Sequence, residues 1–161
     1  MNFRLNHRLI VCAAIVALIF SMIVPVYADT SLPNNTTYET LTFDDGSYVR
    51  IKTTEHQTSI SLLGTTKSKS ASRSYTYYES NNTKAWDFTI TGTFEYDGSK
   101  AKATAVSTDY NIYVSSWKLV SRDASKNGAS VSATGKFKCN LLSKSATIGL
   151  KCSANGTISS L

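Results

Sequence analysis

Ala85-Trp86-Asp87-Phe88-Thr89-Ile90-Thr91-Gly92-Thr93-Phe94-Glu95-Tyr96 is the stretch that decides the fold. Trp86, Phe88, Ile90, Phe94 and Tyr96 alternate with Asp87, Thr89, Thr91, Thr93 and Glu95, and a period of two is that of a β-strand with one buried face. Gly92 fills an inward slot with no side chain, which predicts either a bulge or a neighbouring side chain packed over the backbone. Each ring of this kind removes roughly 150–250 Å² from water when buried, so the other strands are expected to collect on this one.

Downstream, Asp97-Gly98 predicts a tight reversal, because Gly supplies positive φ at little cost. It leads into Lys100 to Val106, where Ala101, Ala103 and Ala105 take the inward phase. Tyr110 to Val120 continues with Ile112, Val114, Trp117 and Leu119, and the phase change between Val114 and Trp117 predicts a bend near Ser115-Ser116. Arg122 to Gly128 reads as a polar turn. Two long alternations close the chain. Ala129, Val131, Ala133, Gly135, Phe137, Cys139 and Leu141 share one face, as do Ala146, Ile148, Leu150, Cys152 and Ala154, with Ser143-Lys144-Ser145 between them.

Upstream, Tyr75 to Glu79 is aromatic and β-prone, Gly64 to Ser74 is rich in Ser and Lys and reads as a loop, and Thr58 to Leu63 reads as a strand. Thr40 to Phe43 and Tyr48 to Thr54 flank Asp44-Asp45-Gly46-Ser47, a second Asp-Gly hairpin. The expected architecture is all-β: an antiparallel β-sandwich, immunoglobulin-like or similar, of about seven to nine strands. Its domain spans 39–161, with an N-terminal hairpin and strand over 39–63, a loop over 64–74 and the main sheets over 75–161.

Residues 1–28 read as a cleaved signal peptide: Arg4, His7 and Arg8 precede an apolar run from Leu9 to Val24, and Val26-Tyr27-Ala28 has the small-residue form of a cleavage site. A retained membrane anchor is the competing reading, since the run nears the lower limit of about 17 residues for a span. Pro25 and the cleavage triplet favour removal. Residues 29–38 read as a flexible leader. Losing Arg4 and Arg8 leaves 15 basic and 11 acidic residues, a charge of +4. Lys136, Lys138, Lys144 and Lys151 are expected to gather in the last hairpin, either as a patch for an anionic surface or as ordinary protection of strands against aggregation. No basic helix or nucleic-acid-binding module is recognisable, so nucleic acid is not an expected partner.

With Cys12 in the signal segment, Cys139 and Cys152 are the remaining cysteines. An even pair in an exported chain is usually a disulfide. A turn centred on Lys144 and Ser145 would bring the two level.

No catalytic, metal or cofactor site stands out. Beyond the signal segment the sequence has one histidine, His56, where nucleophilic catalysis needs a tunable base. Asp44, Asp45 and Asp97 lie in turns that call for Asp, without calcium-loop spacing. Nothing in the spacing of Glu79, Asp87, Glu95 and Asp109 favours a glycosidase pair. The chain is therefore read as a non-enzyme. Tyr75, Tyr77, Tyr78, Tyr110 and Tyr113 form an aromatic surplus beyond what one core needs, and exposed rings stack on sugars or anchor proteins. The expected role is an extracellular or cell-surface binding module for cell-wall polysaccharide or a surface protein. The alternative is a membrane-active hairpin protein, pore-forming or antimicrobial, because strands such as Ala129 to Phe137 alternate as transmembrane β-strands do.

The run Trp86 to Ser99, with Ser116-Trp117-Lys118-Leu119 and Lys151-Cys152-Ser153-Ala154-Asn155-Gly156, resembles a group of small, uncharacterised secreted proteins of Gram-positive bacteria. The resemblance covers about Tyr75 to Leu161 and implies export but no activity. It also implies a cysteine near Ala103 to Ala105, which this chain lacks.

Overall fold

In the computed structural model, residues 35–60 and 66–161 are described, the side chains of 57–60 excepted. The expectations for residues 1–28, for Cys12 and for the first part of the leader lie outside them. Nine strands follow in order: β1 (Thr36–Thr42), β2 (Tyr48–Ile60), β3 (Lys67–Tyr78), β4 (Lys84–Tyr96), β5 (Ala101–Ile112), β6 (Lys118–Asn127), β7 (Ser130–Cys139), β8 (Leu142–Cys152) and β9 (Ile158–Ser160). They form two antiparallel sheets, β1-β2-β3-β4-β5 and β6-β7-β8-β9, in each of which strands pair only with strands adjacent in sequence. This is the predicted antiparallel β-sandwich.

The Ala85–Tyr96 alternation carries the core: Trp86, Phe88, Ile90 and Phe94 are all fully buried. Facing them from the second sheet are Val131, Ala133, Phe137, Ala146, Ile148 and Leu150. The Trp86 and Phe137 rings stack face to face at 3.9 Å between centroids. Glycines let the sheets approach so closely. A Cβ on Gly92 would lie 2.8 Å from Val131 Cγ2 and from the Phe94 ring, and one on Gly135 would lie 2.9 Å from the Phe88 ring. Gly92 therefore marks a packed-over backbone. A bulge lies beside it as well, since Thr93 pairs with Ala105 and Phe94 with Ala103, leaving Thr104 unpaired. That extra residue reverses the phase of β5, so Ala105 is exposed and Val106 turns inward, contrary to the expected inward Ala105.

Both Asp-Gly turns use the same chemistry. Asp45 Oδ1 accepts the Ser47 N–H at 2.9 Å, and Asp97 Oδ1 accepts the N–H groups of Ser99 at 2.9 Å and Lys100 at 3.0 Å. Gly46 and Gly98 each hold positive φ.

Several boundaries differ from the sequence reading. β1 begins at Thr36, within the expected leader, and β2 runs without a break through the gap expected before Thr58. Lys67 to Ser74 is strand, not loop, and Arg122 to Asn127 belongs to β6, not to a turn. Both segments are polar apart from Ala71 and Ala124, yet ladders to their neighbours hold them as strands, the one from β2 to β3 with an irregularity between Gln57 and Ile60. The predicted disulfide is overturned. The last hairpin turns at Asn140-Leu141, where Asn140 adopts φ 52°, and Cys139 pairs with Leu142 while Ser130 pairs with Lys151. Cys139 and Cys152 thus sit at opposite ends of the hairpin, about 30 Å apart at roughly 3.3 Å per residue, and both are free. Lys144 is not in the turn: its ammonium lies 3.2 Å from Asp45 Oδ2 and over the Phe43 ring at 4.6 Å. Lys151 lies at the far end of the hairpin from Lys138, so the expected lysine patch is dispersed.

Candidate functional site

The outer face of the first sheet carries a row of aromatic and charged side chains at one end. Strand register builds it. Tyr48 of β2 pairs with Tyr78 of β3, and Tyr78 pairs with Lys84 of β4. One step along, Arg50, Thr76, Asp87 and Asn111 line up across β2 to β5. The Tyr48 and Tyr78 rings are parallel within 4° and 4.7 Å apart. That separation equals the spacing of adjacent strands, so the rings stand side by side on the sheet. The Arg50 guanidinium lies over both, at 5.6 and 5.3 Å from their centroids, a favourable contact of a cation with the negative ring faces.

A second cluster adjoins this one, and a bulge positions it. Tyr77 pairs with Trp86 but Tyr78 with Lys84, so Ala85 is the extra residue in β4. The Ala85 carbonyl accepts the N–H groups of Tyr113 at 2.9 Å and Val114 at 3.2 Å. This pins the crossover between the sheets and swings Tyr113 over the outer face, where its hydroxyl accepts from Lys84 Nζ at 2.8 Å. Asp87 is the hub. Its Oδ1 accepts from Asn111 Nδ2 at 2.9 Å, and its Oδ2 accepts from the Tyr113 hydroxyl at 2.7 Å and lies 2.9 Å from Lys84 Nζ. Burial pushes the Asp87 carboxyl up, but the hydrogen bonds from Lys84, Asn111 and Tyr113 and the charge of Lys84 outweigh it and hold it below its ordinary value. The same partners raise Lys84 against the opposing effect of burial.

Of the five tyrosines expected as ligand contacts, Tyr78 and Tyr113 lie in this row. Tyr75 and Tyr77 take the inward phase of β3 and stack on Trp86 at 5.8 and 5.3 Å, and Tyr77 is 2 % exposed. Both belong to the core side of the sheet, Tyr75 half-buried, and burial raises the Tyr75 hydroxyl. Tyr110 turns toward Phe137 at the margin of β5, edge-on at 6.4 Å. The sequence reading missed Tyr48, Arg50, Lys84, Asp87 and Asn111 as members. The alternation Tyr48-Val49-Arg50-Ile51-Lys52 puts Tyr48 and Arg50 on one face, but which residues they meet there depends on register.

The row suits binding. It offers a guanidinium, an ammonium, phenol hydroxyls and an amide, and its one carboxylate is fully engaged. His56 lies further along β2, with Nε2 3.0 Å from Ser72 Oγ. Glu79 accepts from Trp117 Nε1 at 2.9 Å. Among the described residues, no three His, Cys, Asp or Glu side chains converge as a metal site would need. At the opposite end of the sandwich a cleft of about 450 Å³ is lined by Lys67, Tyr96, Asp97, Gly98, Ala154 and Asn155. Asp97 is turned away into its own turn, where the Ser99 hydroxyl and amide and the Lys100 amide hold its pKa at about 2.

No protein-family model matches the chain, and no curated protein does. Among solved structures, a hypothetical protein of Listeria monocytogenes is similar at 13% identity and a TM-score of 0.43, over 80% of this chain and 95% of that one.

Proposed function

We propose that this chain is a secreted, non-enzymatic binding module, related to the small exported proteins of Gram-positive bacteria that its sequence resembles. It holds carbohydrate or a protein partner on the outer face of the first sheet. The observation that supports this is the row Tyr48-Tyr78-Lys84-Tyr113 with Arg50 above it, fixed by strand pairing, by the Ala85 bulge and by the Asp87 hub. Groups held in place before a ligand arrives lose little freedom on binding. Cationic and aromatic groups together suit polyhydroxylated or anionic polymers of a cell surface. The membrane-active alternative needs the apolar side chains of the last hairpin turned outward, whereas Val131, Phe137, Ile148 and Leu150 are buried against the first sheet.

The test is a screen of the mature protein against cell-wall polysaccharides and whole cells, repeated with Arg50→Ala and Tyr78→Ala. Each substitution should weaken binding about tenfold if these are anchor residues, while Lys151→Ala on the second sheet leaves it unchanged. Binding that survives both outer-face substitutions would move the site elsewhere. Leakage of dye from anionic liposomes at the same concentrations would favour the membrane-active reading.

A further inference from the structure

The four margins of the two sheets are treated differently. β5 is capped by the strand that follows the crossover: the Ala103 N–H donates to Gly128 O at 2.8 Å and Lys126 Nζ to Thr104 O at 2.7 Å. β6 carries Lys118, Arg122, Asp123 and Lys126 and is interrupted by a bulge between Leu119 and Ser121. β9 is three residues long. Charges, bulges and short edges are the usual guards against strand addition. β1, Thr-Thr-Tyr-Glu-Thr-Leu-Thr, has neither a bulge nor a short ladder, and Glu39 is its one charge. It contains neither Lys nor Pro, it is exposed over six of its seven residues, and among the described residues it pairs on one side alone.

The direction of its backbone groups follows from the turns. Glu55 N–H donates to Asn35 O, Phe43 N–H donates to Ser47 O, and pairing runs from Thr36↔Thr54 to Thr42↔Tyr48. Odd-numbered residues therefore point their N–H and C=O groups at β2, and Thr36, Tyr38, Thr40 and Thr42 point theirs outward. The single charge on the strand, Glu39, is drawn away from the margin and across β2 to Arg73, with both carboxylate oxygens 3.3 Å from Nη2.

We infer that β1 is the contact by which two copies of this chain associate, as an antiparallel β1–β1 pair about a two-fold axis at Glu39. This register uses all four outward-facing residues of each copy, pairing Thr36 with Thr42 and Tyr38 with Thr40 of the second copy. Shifting it by two residues leaves a Thr at one end unmatched. Every cross-strand pair on the outer face then joins β-branched or aromatic residues, which stabilise such ladders. At the axis the two Glu39 carboxylates lean apart toward their own Arg73. The pairing buries less than a standard interface of roughly 1,600 Å², so the dimer forms weakly and grows with concentration.

Sedimentation of the mature protein across a range of concentrations should show a reversible monomer–dimer equilibrium. Thr40→Pro removes an outward N–H without touching the β1–β2 ladder, a place where an edge strand tolerates Pro. It should leave thermal unfolding nearly unchanged and the protein monomeric. Mixing a Tyr38→Cys chain with a Thr40→Cys chain under mild oxidant should give a cross-linked dimer that neither chain gives alone. A wild-type protein that stays monomeric at its highest soluble concentration overturns the inference, and so does a dimer that persists in folded Thr40→Pro. A monomer that takes up an unrelated extended peptide on β1 overturns it too, because the occupant would then be a foreign strand.

Discussion

The inner face of the first sheet is two different surfaces on the same strands. Toward the Tyr78 end of β3 it is aromatic: Tyr77, Trp86, Trp117, Phe88 and Phe137 form a continuous set of ring contacts under the second sheet. Toward the Lys67 end and across to β1 the same phase carries ions. Arg73 reaches Glu39, and Lys69 binds Glu55 and the Gly156 carbonyl at 2.9 and 2.7 Å. Alternation tells which side of a sheet a residue faces. What it meets there depends on where the other sheet lies, and β7 and β8 lie over β3, β4 and β5. The aromatic region gains by losing water, whereas a buried guanidinium must be matched atom for atom. Arg73 is 6% exposed and its Nε has no partner among the described residues, so the ionic region is held in place without adding much stability.

Urea unfolding of four variants would break or sharpen this contrast. Trp86→Ala should cost about 3–5 kcal/mol, since it removes the ring that Tyr75, Tyr77 and Phe137 stack on. A loss below about 1 kcal/mol would mean the aromatic set is not the centre of the fold. Gly135→Ala forces a Cβ against Phe88 at 2.9 Å and should cost about 1–3 kcal/mol by overpacking. In the ionic region the two partners should behave unequally. Glu39→Ala strands a buried guanidinium and should cost about 1 kcal/mol, discounted because Glu39 is half exposed. Arg73→Met should be neutral or slightly stabilising, and a large loss would show that the ion pair is structural after all.

The smallest effect is one of pH. The folded Asp87 carboxyl lies below its ordinary value of 3.8, so its contribution is present in full above that value and is lost as pH falls through the lower folded one. The stability of Asp87→Asn should accordingly fall less between pH 5 and pH 2 than that of the parent. Equal acid sensitivity would take Asp87 out of the role of hub.

How much of this was legible in the sequence depends on where the information resides. The fold class was readable because Ala85 to Tyr96 states its phase in large apolar side chains, and the two Asp-Gly turns state theirs in backbone chemistry. β3 was misread over Lys67 to Ser74 because its inward residues include Lys69 and Arg73, whose partners lie on other strands. The final hairpin was mis-registered because Ser143-Lys144-Ser145 looks like a turn, while the true turn exposes Leu141 almost completely. Lys144 is drawn inward by Asp45, 99 residues away in sequence. Only two of the seven residues of the outer-face row were legible, for a similar reason. Tyr78 and Tyr113 could be named from composition, but Asp87, Asn111 and Lys84 meet them through bulges at Ala85 and Thr104 that no local pattern announces.

The neighbour-only pairing of both sheets bears on how the chain reaches this state. Paired residues are at most 30 positions apart in sequence, as Tyr48 and Tyr78 are, and the aromatic contact between Trp86 and Phe137 joins two separately wound meanders. Short sequence separations make closure entropically cheap and speed folding relative to Greek-key sandwiches of the same size. The slow event should then be the docking of two already zipped sheets. By that order, substitutions of Tyr48, Arg50 or Tyr78, whose contacts lie within one sheet zipped before docking, should slow folding and leave unfolding nearly unchanged, whereas those in the Gly92–Val131 and Gly135–Phe88 contacts should also speed unfolding, to the extent that docking is incomplete in the transition state.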